Sequence, residues 1–152
     1  MQMQKTDVIK ILANLIQLEF DTVHVYDTAI EGVGDDQMRH RLESFRQTHH
    51  AHTEDLAEAI KKLGEDPPAP ARDLKGIIFE KLTAIRSKTG TEGALKALRT
   101  AEDILSRHYH ELVPENTPKS TNHILKKHLS DGQVHLDYID LNIKALSITP
   151  PG

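Results

Sequence analysis

Apolar residues recur every three or four positions along nearly the whole chain, which is the spacing that places them on one face of an α-helix. This pattern predicts four long helices, at about residues 6–31, 37–63, 90–113 and 118–146. A shorter apolar stripe over about residues 72–87 predicts one more helix between the second and the third. Strand-like alternation is not sustained anywhere in the sequence, so we expect an all-α protein.

Helix-breaking residues separate these elements. Gly32 and Gly34 end the first helix, and Asp35 or Asp36 is the expected N-cap of the second. Gly64 and the proline-rich residues 66–70 end the second helix, and the stretch that follows is too long for a tight hairpin. We therefore predict a single domain over residues 1–152, a four-helix bundle of two helical hairpins with the short helix in the crossover between helices two and three. An up-down-up-down bundle with a decorated loop is the alternative topology.

An ionisable residue interrupts the apolar stripe of each long helix. Glu19 lies in phase with the apolar positions of the first helix, and Glu102 lies in phase with those of the third. His49 and His52 interrupt the second stripe, and His135 interrupts the fourth. All five lie near the midpoints of their helices, and the midpoints of similar-length antiparallel helices share one layer. The sequence therefore predicts a buried layer of carboxylates and imidazoles at the bundle centre.

The two halves of the chain repeat this pattern. Three pairs of polar residues are separated by the same 83 positions: Glu19 and Glu102, Tyr26 and Tyr109, and His52 and His135. Apolar residues of the stripes follow the same spacing. The sequence thus indicates two copies of one helical hairpin, each with a glutamate in mid-helix, a tyrosine two turns later and a histidine on the partner helix.

The chemistry available to such a layer depends on ten histidines and no cysteine. Buried carboxylates and imidazoles are costly unless they are neutralised or coordinated, and together they offer oxygen and nitrogen ligands to a transition metal. This donor set suits iron, manganese or zinc, whereas the absence of thiolates argues against copper(I) and iron–sulfur sites. The predicted metal ligands are the five residues of the layer: Glu19, His49, His52, Glu102 and His135.

Four segments, at residues 15–26, 45–52, 100–102 and 135–139, carry a resemblance to a known superfamily. Through them, residues 8–146 resemble the ferritin-like superfamily, and more closely small bacterial ferritin-like domain proteins of uncharacterised function. The resemblance implies a ferritin-like four-helix bundle with a bound transition metal, iron above manganese or zinc. It also implies di-iron or other ferroxidase-like redox chemistry and a homo-oligomer, for which we favour a dimer.

The superfamily's di-iron pattern has a lone glutamate on helices one and three and a Glu-x-x-His motif on helices two and four. Glu19 and Glu102 match the lone glutamates, and the motif histidines match at 52 and 135. The motif glutamates are replaced by His49 and Gly132. Two of four expected carboxylates are therefore missing, which leaves open a non-enzymatic helical structural or interaction protein with a degenerate metal site.

Further residues near the layer complete the predicted site. Asp131, next to the glycine of helix four, could replace a missing carboxylate, and His128, one turn earlier, is another possible ligand. Tyr26 and Tyr109 are expected to contact the ligands from the outside.

Two interpretations need no metal. Glu19 and Glu102 could pair with the core histidines as buried ion pairs. His49, His50 and His52 could instead form a polar seam at a dimer interface.

Two metal-protein alternatives remain as well. A hemerythrin-like site would draw on His24, His50, Glu54, His135 and Asp140. Phase argues against it, because His50 and Glu54 lie on the polar side of helix two and the paired histidines expected on helix three are absent. A shell-forming ferritin is the other alternative.

Overall charge narrows the classes of partner. With 19 basic and 23 acidic residues the net charge is −4, too mild to indicate a nucleic-acid binder or a polybasic membrane anchor. No apolar run reaches the roughly 18 residues of a membrane span, and the first residues lack the apolar core of a secretory signal. The lack of cysteine fits a reducing compartment, so we predict a cytoplasmic protein that binds a metal ion and neither nucleic acid nor membrane.

Overall fold

Four long helices make up the computed structural model, which describes residues 4–70, 90–111 and 117–148. Helix α1 spans Lys5–Glu31, α2 spans Asp36–Lys62, α3 spans Gly90–Glu111 and α4 spans Lys119–Ile148. No strand occurs within these ranges. The all-α prediction is confirmed, and each long helix ends within about two residues of its predicted bounds. The short helix predicted for residues 72–87 lies outside the described residues.

Local chemistry explains where the helices begin and end. The Asp35 carboxylate accepts a hydrogen bond from the Met38 backbone N–H at 2.8 Å, so Asp35 is the N-cap of α2. At the other end of α2, the backbone N–H of Glu65 donates to the carbonyl of Ile60, and Gly64 has a φ of +91°. This is the geometry of a Schellman motif, in which the left-handed position is best filled by glycine.

Cross-helix contacts define the directions of α2 and α3 relative to α1. Arg46 of α2 forms an ion pair with Asp27 of α1, while Gly64 after α2 lies close to Lys5 at the start of α1, so these helices are antiparallel. The backbone N–H of Gly34 donates to the Thr91 hydroxyl at 3.2 Å, which places the start of α3 beside the end of α1. Since α2 ends at the opposite end of the bundle, the end of α2 and the start of α3 lie at opposite ends of it. The predicted crossover topology is therefore the observed one.

The apolar core is split into two parts by a polar layer. One cluster of buried apolar residues includes Val25, Leu42 and Leu98, and the other includes Leu12 and Leu56. Between them lie the charged residues at the midpoints of the helices. No described helix is both long and apolar enough to cross a membrane.

Candidate metal centre

The structure brings the five predicted residues of the central layer together. Glu19 and His49 are 0 % exposed, and none of the five exceeds the 3 % of His135. Each helix contributes from its middle: Glu19 from α1, His49 and His52 from α2, Glu102 from α3 and His135 from α4. The layer predicted from phase is thus present as a buried polar network.

The first half of the network, which we call the Glu19 cluster, consists of Glu19, His52 and His128. His52 Nδ1 lies 3.0 Å from Glu19 Oε1, and the His52 and His128 rings stack with centroids 3.7 Å apart. The Tyr109 hydroxyl lies 2.7 Å from Glu19 Oε1 and 2.9 Å from His128 Nδ1. One carboxylate and two imidazoles therefore offer donor atoms that all lie within 4.8 Å of one another.

The second half, the Glu102 cluster, consists of Glu102, His49 and His135. His135 Nδ1 lies 2.9 Å from Glu102 Oε1 and 3.2 Å from His49 Nε2, and His49 Nε2 also contacts Glu102 Oε1. The Tyr26 hydroxyl donates to the same Glu102 oxygen at 2.6 Å. The donor atoms again lie within 4.8 Å of one another, so both clusters have the composition of a two-histidine, one-carboxylate metal site.

His49 connects the two clusters. Its Nδ1 lies 2.7 Å from Glu19 Oε2, while its Nε2 faces Glu102. Burial lowers the pKa of His49, but the carboxylates of Glu102 and Glu19 outweigh this effect and raise the pKa to about 10. The imidazole is therefore a cation at neutral pH, and it neutralises part of the charge of two buried carboxylates.

The same cation keeps both glutamates ionised. Burial raises the pKa of each carboxyl group, but nearby histidines lower it by more than burial raises it. His49 and His52 act on Glu19, and His49 and His135 act on Glu102. The pKa of Glu102 falls to about 2, and that of Glu19 lies well below its usual value of 4.5. Without metal, the layer is thus a buried ion network whose charges are paired.

The internal repeat is reproduced in the contacts. Tyr26 donates to Glu102 as Tyr109 donates to Glu19, because each tyrosine reaches the glutamate of the other hairpin. The repeat also extends to aromatic stacking, which sequence reasoning missed: His135 stacks on Phe45 at 4.1 Å as His52 stacks on His128. Positions 45 and 128 are related by the same 83-residue spacing, which was the available signal.

Outside the layer, two partly exposed aspartates contact the outward-facing histidine nitrogens. Asp131 Oδ2 lies 2.8 Å from His52 Nε2, on the side of the ring opposite Glu19. Asp55 Oδ2 lies 3.0 Å from His128 Nε2. Asp131 thus contacts the outer nitrogen of a candidate ligand, His52, in this structure. Asp55 was not identified from the sequence, although its position one turn after His52 was the available signal.

Burial sets the ionisation of the surrounding groups. Burial and the neighbouring His52 lower the pKa of His128 to about 4, despite its contact with Asp55. Burial and the nearby glutamates raise the pKa of Tyr26 and Tyr109 well above 10.0. At neutral pH the two tyrosines are therefore neutral hydroxyl groups, able to donate hydrogen bonds to the carboxylates.

The residues of a hemerythrin-like pattern do not converge. The His50 and Glu54 side chains are 59 % and 74 % exposed on the outside of α2, where they lie 3.8 Å apart. Asp140 pairs with Arg99 at 2.7 Å on the surface. His24, which is partly exposed, lies beside Asp27. Only His135 of that set reaches the central layer.

One donor atom of the layer has room and no partner. Glu102 Oε2 is buried and accepts no hydrogen bond within the described residues, whereas Oε1 of the same carboxylate contacts Tyr26, His49 and His135. A buried carboxylate oxygen without a donor is unusual, because it has lost its water without replacement. This oxygen and the two nitrogen–oxygen clusters fit a cation, so the residues present are compatible with a metal at the centre.

Sequence comparison identifies the family. The family described as "Domain of unknown function (DUF2383)" matches residues 7–115, which include α1 except for its first two residues, and all of α2 and α3. The chain belongs to the DUF2383 family. The match ends before α4, so His128, Gly132 and His135 lie outside it. No curated protein matches the sequence.

Solved structures show that this DUF2383 chain has the ferritin-like fold. A ferritin-like, diiron-carboxylate protein from Bacillus anthracis is 18 % identical, with a TM-score of 0.71 over 94 % of this chain and 99 % of that one. A conserved hypothetical protein from Mycobacterium tuberculosis is 12 % identical, with a TM-score of 0.77 over 98 % and 99 %. A mutant of Mycobacterium smegmatis Dps1 is also 12 % identical, with a TM-score of 0.76 over 91 % and 96 %. The predicted resemblance is confirmed at the level of the fold.

Proposed function

We propose that this DUF2383 protein is a ferritin-like metal-binding protein, with one metal position at the Glu19 cluster and one at the Glu102 cluster. The observation that carries the proposal is the pair of related clusters, each with one glutamate and two histidines within 4.8 Å. Glu19, His52 and His128 would hold the first ion, and Glu102, His49 and His135 would hold the second. His49, whose ring contacts both glutamates, would lie between the two positions.

The surroundings of the clusters support this role. A histidine that binds a metal with one ring nitrogen commonly donates from the other to a carboxylate, which fixes the ring and its tautomer. Asp131 stands in this relation to His52, and Asp55 to His128. Tyr26 and Tyr109 hold the glutamates by hydrogen bonds. The candidate ligands are therefore oriented before any ion binds.

Iron is the metal that we favour, with manganese or zinc as alternatives. The names of two similar structures mention di-iron chemistry: the diiron-carboxylate protein of Bacillus anthracis and a Desulfovibrio desulfuricans bacterioferritin, the latter 17 % identical with a TM-score of 0.56. Bound iron would supply one-electron redox chemistry, and a ferroxidase-like oxidation is the activity we propose. Six histidine or glutamate ligands with only two carboxylates distinguish this centre from the superfamily's pattern of four glutamates.

The competing function is that of a helical structural or interaction protein with a degenerate metal site. The position of the His49 cation between two carboxylates favours it, because this cation already compensates part of their charge without metal. The two functions differ in what happens when metal is offered. A structural network would be equally stable with and without metal, whereas an ion that binds the folded state stabilises it by RT ln(1 + [L]/Kd).

Metal analysis of protein purified without a histidine tag tests the proposal. After loading with iron(II), manganese(II) or zinc(II), mass spectrometry should find up to about two ions per chain, one for each cluster. The Glu102→Ala variant should lose at least one ion while its far-UV circular dichroism stays helical. The Asp103→Ala variant, which removes the neighbouring acid that pairs with Arg107 on the surface, is the matched control. Fewer than about 0.2 ions per wild-type chain after loading would reject metal binding.

We also propose that the chain forms a homodimer through the outer face of α4. Val134, Leu141 and Ile148 are 51 %, 67 % and 72 % exposed, and they follow one another at seven-residue spacing. This spacing places the three side chains in one stripe along the outer face of the helix. Asp137 and Lys144 flank it on the same side. In an antiparallel pair centred on Leu141, each Asp137 would approach the partner's Lys144, whereas a parallel pair would bring like charges together, so a second copy complements this face.

A further inference from the structure

Gly132 lies in the middle of α4, where glycine is among the least favourable residues. Within the described residues only Gly64 and Gly90 have a positive φ, so the backbone at position 132 does not require glycine. A Cβ atom added there would meet nothing nearer than Glu102 Oε2, at 3.8 Å, which is an ordinary van der Waals contact. Neither conformation nor close packing therefore explains this residue.

The missing side chain leaves a small cavity inside the bundle. The cavity has a volume of about 10 Å³ and is lined by Gly132, His49, Glu102, Tyr109 and His128, with Ser106 and two leucines of α3 and α4 completing the lining. A space of this size holds about one water molecule, provided that polar partners are present. In the other hairpin the equivalent position is 49, where the residue is a histidine instead of a glycine.

A polar partner is present in the lining. Glu102 Oε2 is the carboxylate oxygen that accepts no hydrogen bond within the described part of the chain, and it is the atom nearest to the position that a side chain at 132 would enter. Glu102 as a whole is 1 % exposed, so bulk water does not serve this oxygen. A hydrogen-bond donor in the cavity would satisfy it.

We propose that this cavity, the Gly132 pocket, binds one water-sized molecule against Glu102 Oε2 and provides the exchangeable ligand position of the centre. This role as a ligand position rests on the proposed metal-binding function, whereas binding of a water molecule to the metal-free chain does not. The size of the pocket restricts its occupant to water, hydroxide or another inorganic molecule of similar size, and excludes organic substrates from this side of the centre.

The metal-free chain gives the first test. Magnetic relaxation dispersion of water nuclei counts long-lived internal waters, and the wild-type chain in chelator should hold one more of them than the Gly132→Ala variant. The added methyl group enters the pocket without a clash, since its nearest neighbour is 3.8 Å away. Ser130→Ala, at an exposed position of the same helix, should leave the count unchanged. Equal counts in the wild type and in Gly132→Ala would overturn the proposal.

The manganese-loaded chain gives the second test. In water enriched in oxygen-17, electron–nuclear double resonance of bound Mn²⁺ should detect an oxygen-17 ligand in the wild type. In Gly132→Ala that signal should fall by about fivefold or more at unchanged Mn²⁺ stoichiometry, because the methyl group displaces the water. If both chains bind Mn²⁺ with equal oxygen-17 coupling, the Gly132 pocket is not the ligand position, while the proposed metal-binding function is retained. Failure of the wild-type chain to bind Mn²⁺ would overturn both.

Discussion

His49 links the two buried glutamates of the metal-free chain, because each of its ring nitrogens faces one of their carboxylates. Replacing it with leucine would leave Glu19 and Glu102 near each other without the cation between them. Breaking a buried ion pair in this way typically costs about 3–5 kcal/mol. We therefore expect His49→Leu to lower the free energy of unfolding by about that amount, measured by urea denaturation in the presence of a chelator.

The neighbouring histidine provides the control for this change. The His50 side chain is 59 % exposed, so His50→Leu should change the free energy of unfolding by about 0.5 kcal/mol or less. If His49→Leu were as stable as His50→Leu, His49 would not be a structural cation in the folded chain.

The pH dependence of stability follows from the same residue. Its pKa is about 10 in the folded chain and 6.5 ordinarily, so from pH 6.5 to 10 the folded state holds a proton that the unfolded state releases. The contribution of His49 is therefore fully present below pH 6.5 and is lost as the pH rises through 10. In chelator, the urea midpoint of the wild type should fall across this window. His49→Leu should show a shallower fall, and parallel curves would contradict the assignment.

Single residues also mark how far the sequence could predict the centre. Phase and the 83-residue repeat were sufficient to identify Glu19, Glu102, His52 and His135, because helical periodicity fixes which face a residue occupies. They could not show which nitrogen of His52 faces inward. The orientation of the ring depends on side-chain rotamers and on partners from other helices. For this reason the sequence suggested Asp131 as a ligand, whereas in the structure it contacts the outer nitrogen of His52.

At the scale of the elements, the sequence predicted the helices more closely than it predicted the residues that cap them. Four long apolar stripes were enough to predict α1 to α4, since a 27-residue helix such as α2 repeats its pattern over many turns. The N-cap of α2 stayed open between two adjacent aspartates, because either could precede the helix. The backbone geometry identifies Asp35 as the N-cap, because its extended conformation lets its carboxylate reach the Met38 N–H.

This choice can be measured by stability. Asp35→Ala removes the side chain that caps α2, so the free energy of unfolding should decrease by about 1 kcal/mol. Asp36→Ala removes an exposed carboxylate in the first turn, 3.6 Å from Arg39, and should cost about 0.5 kcal/mol or less. Thermal or urea unfolding of both variants compares them directly. A larger loss for Asp36→Ala would show that the helix begins one residue later than in this structure.

At the scale of the whole molecule, the topology follows from the contacts between the helices. The length of the segment between α2 and α3 indicated a crossover, and the contact of Gly34 with Thr91 shows that α3 begins at the end of the bundle where α1 finishes. Antiparallel neighbours then bring the four helix midpoints into one layer. The central network is compatible with this topology, and its repeat arises because two equivalent hairpins face each other.

The proposed homodimer is the last prediction at the scale of the whole molecule. Leu141 is 67 % exposed at the middle of the outer stripe of α4, and in the proposed dimer it would lie on the two-fold axis against its own copy. Leu141→Glu would bury two like charges at this axis, so the dimer dissociation constant should rise by about tenfold or more. Sedimentation equilibrium measures this constant, and Gln47→Glu, which adds the same charge at an exposed position of α2, should leave it unchanged. A wild-type chain that stays monomeric at about 100 μM would show that this face does not join two copies, since dimers of biological strength form well below that concentration.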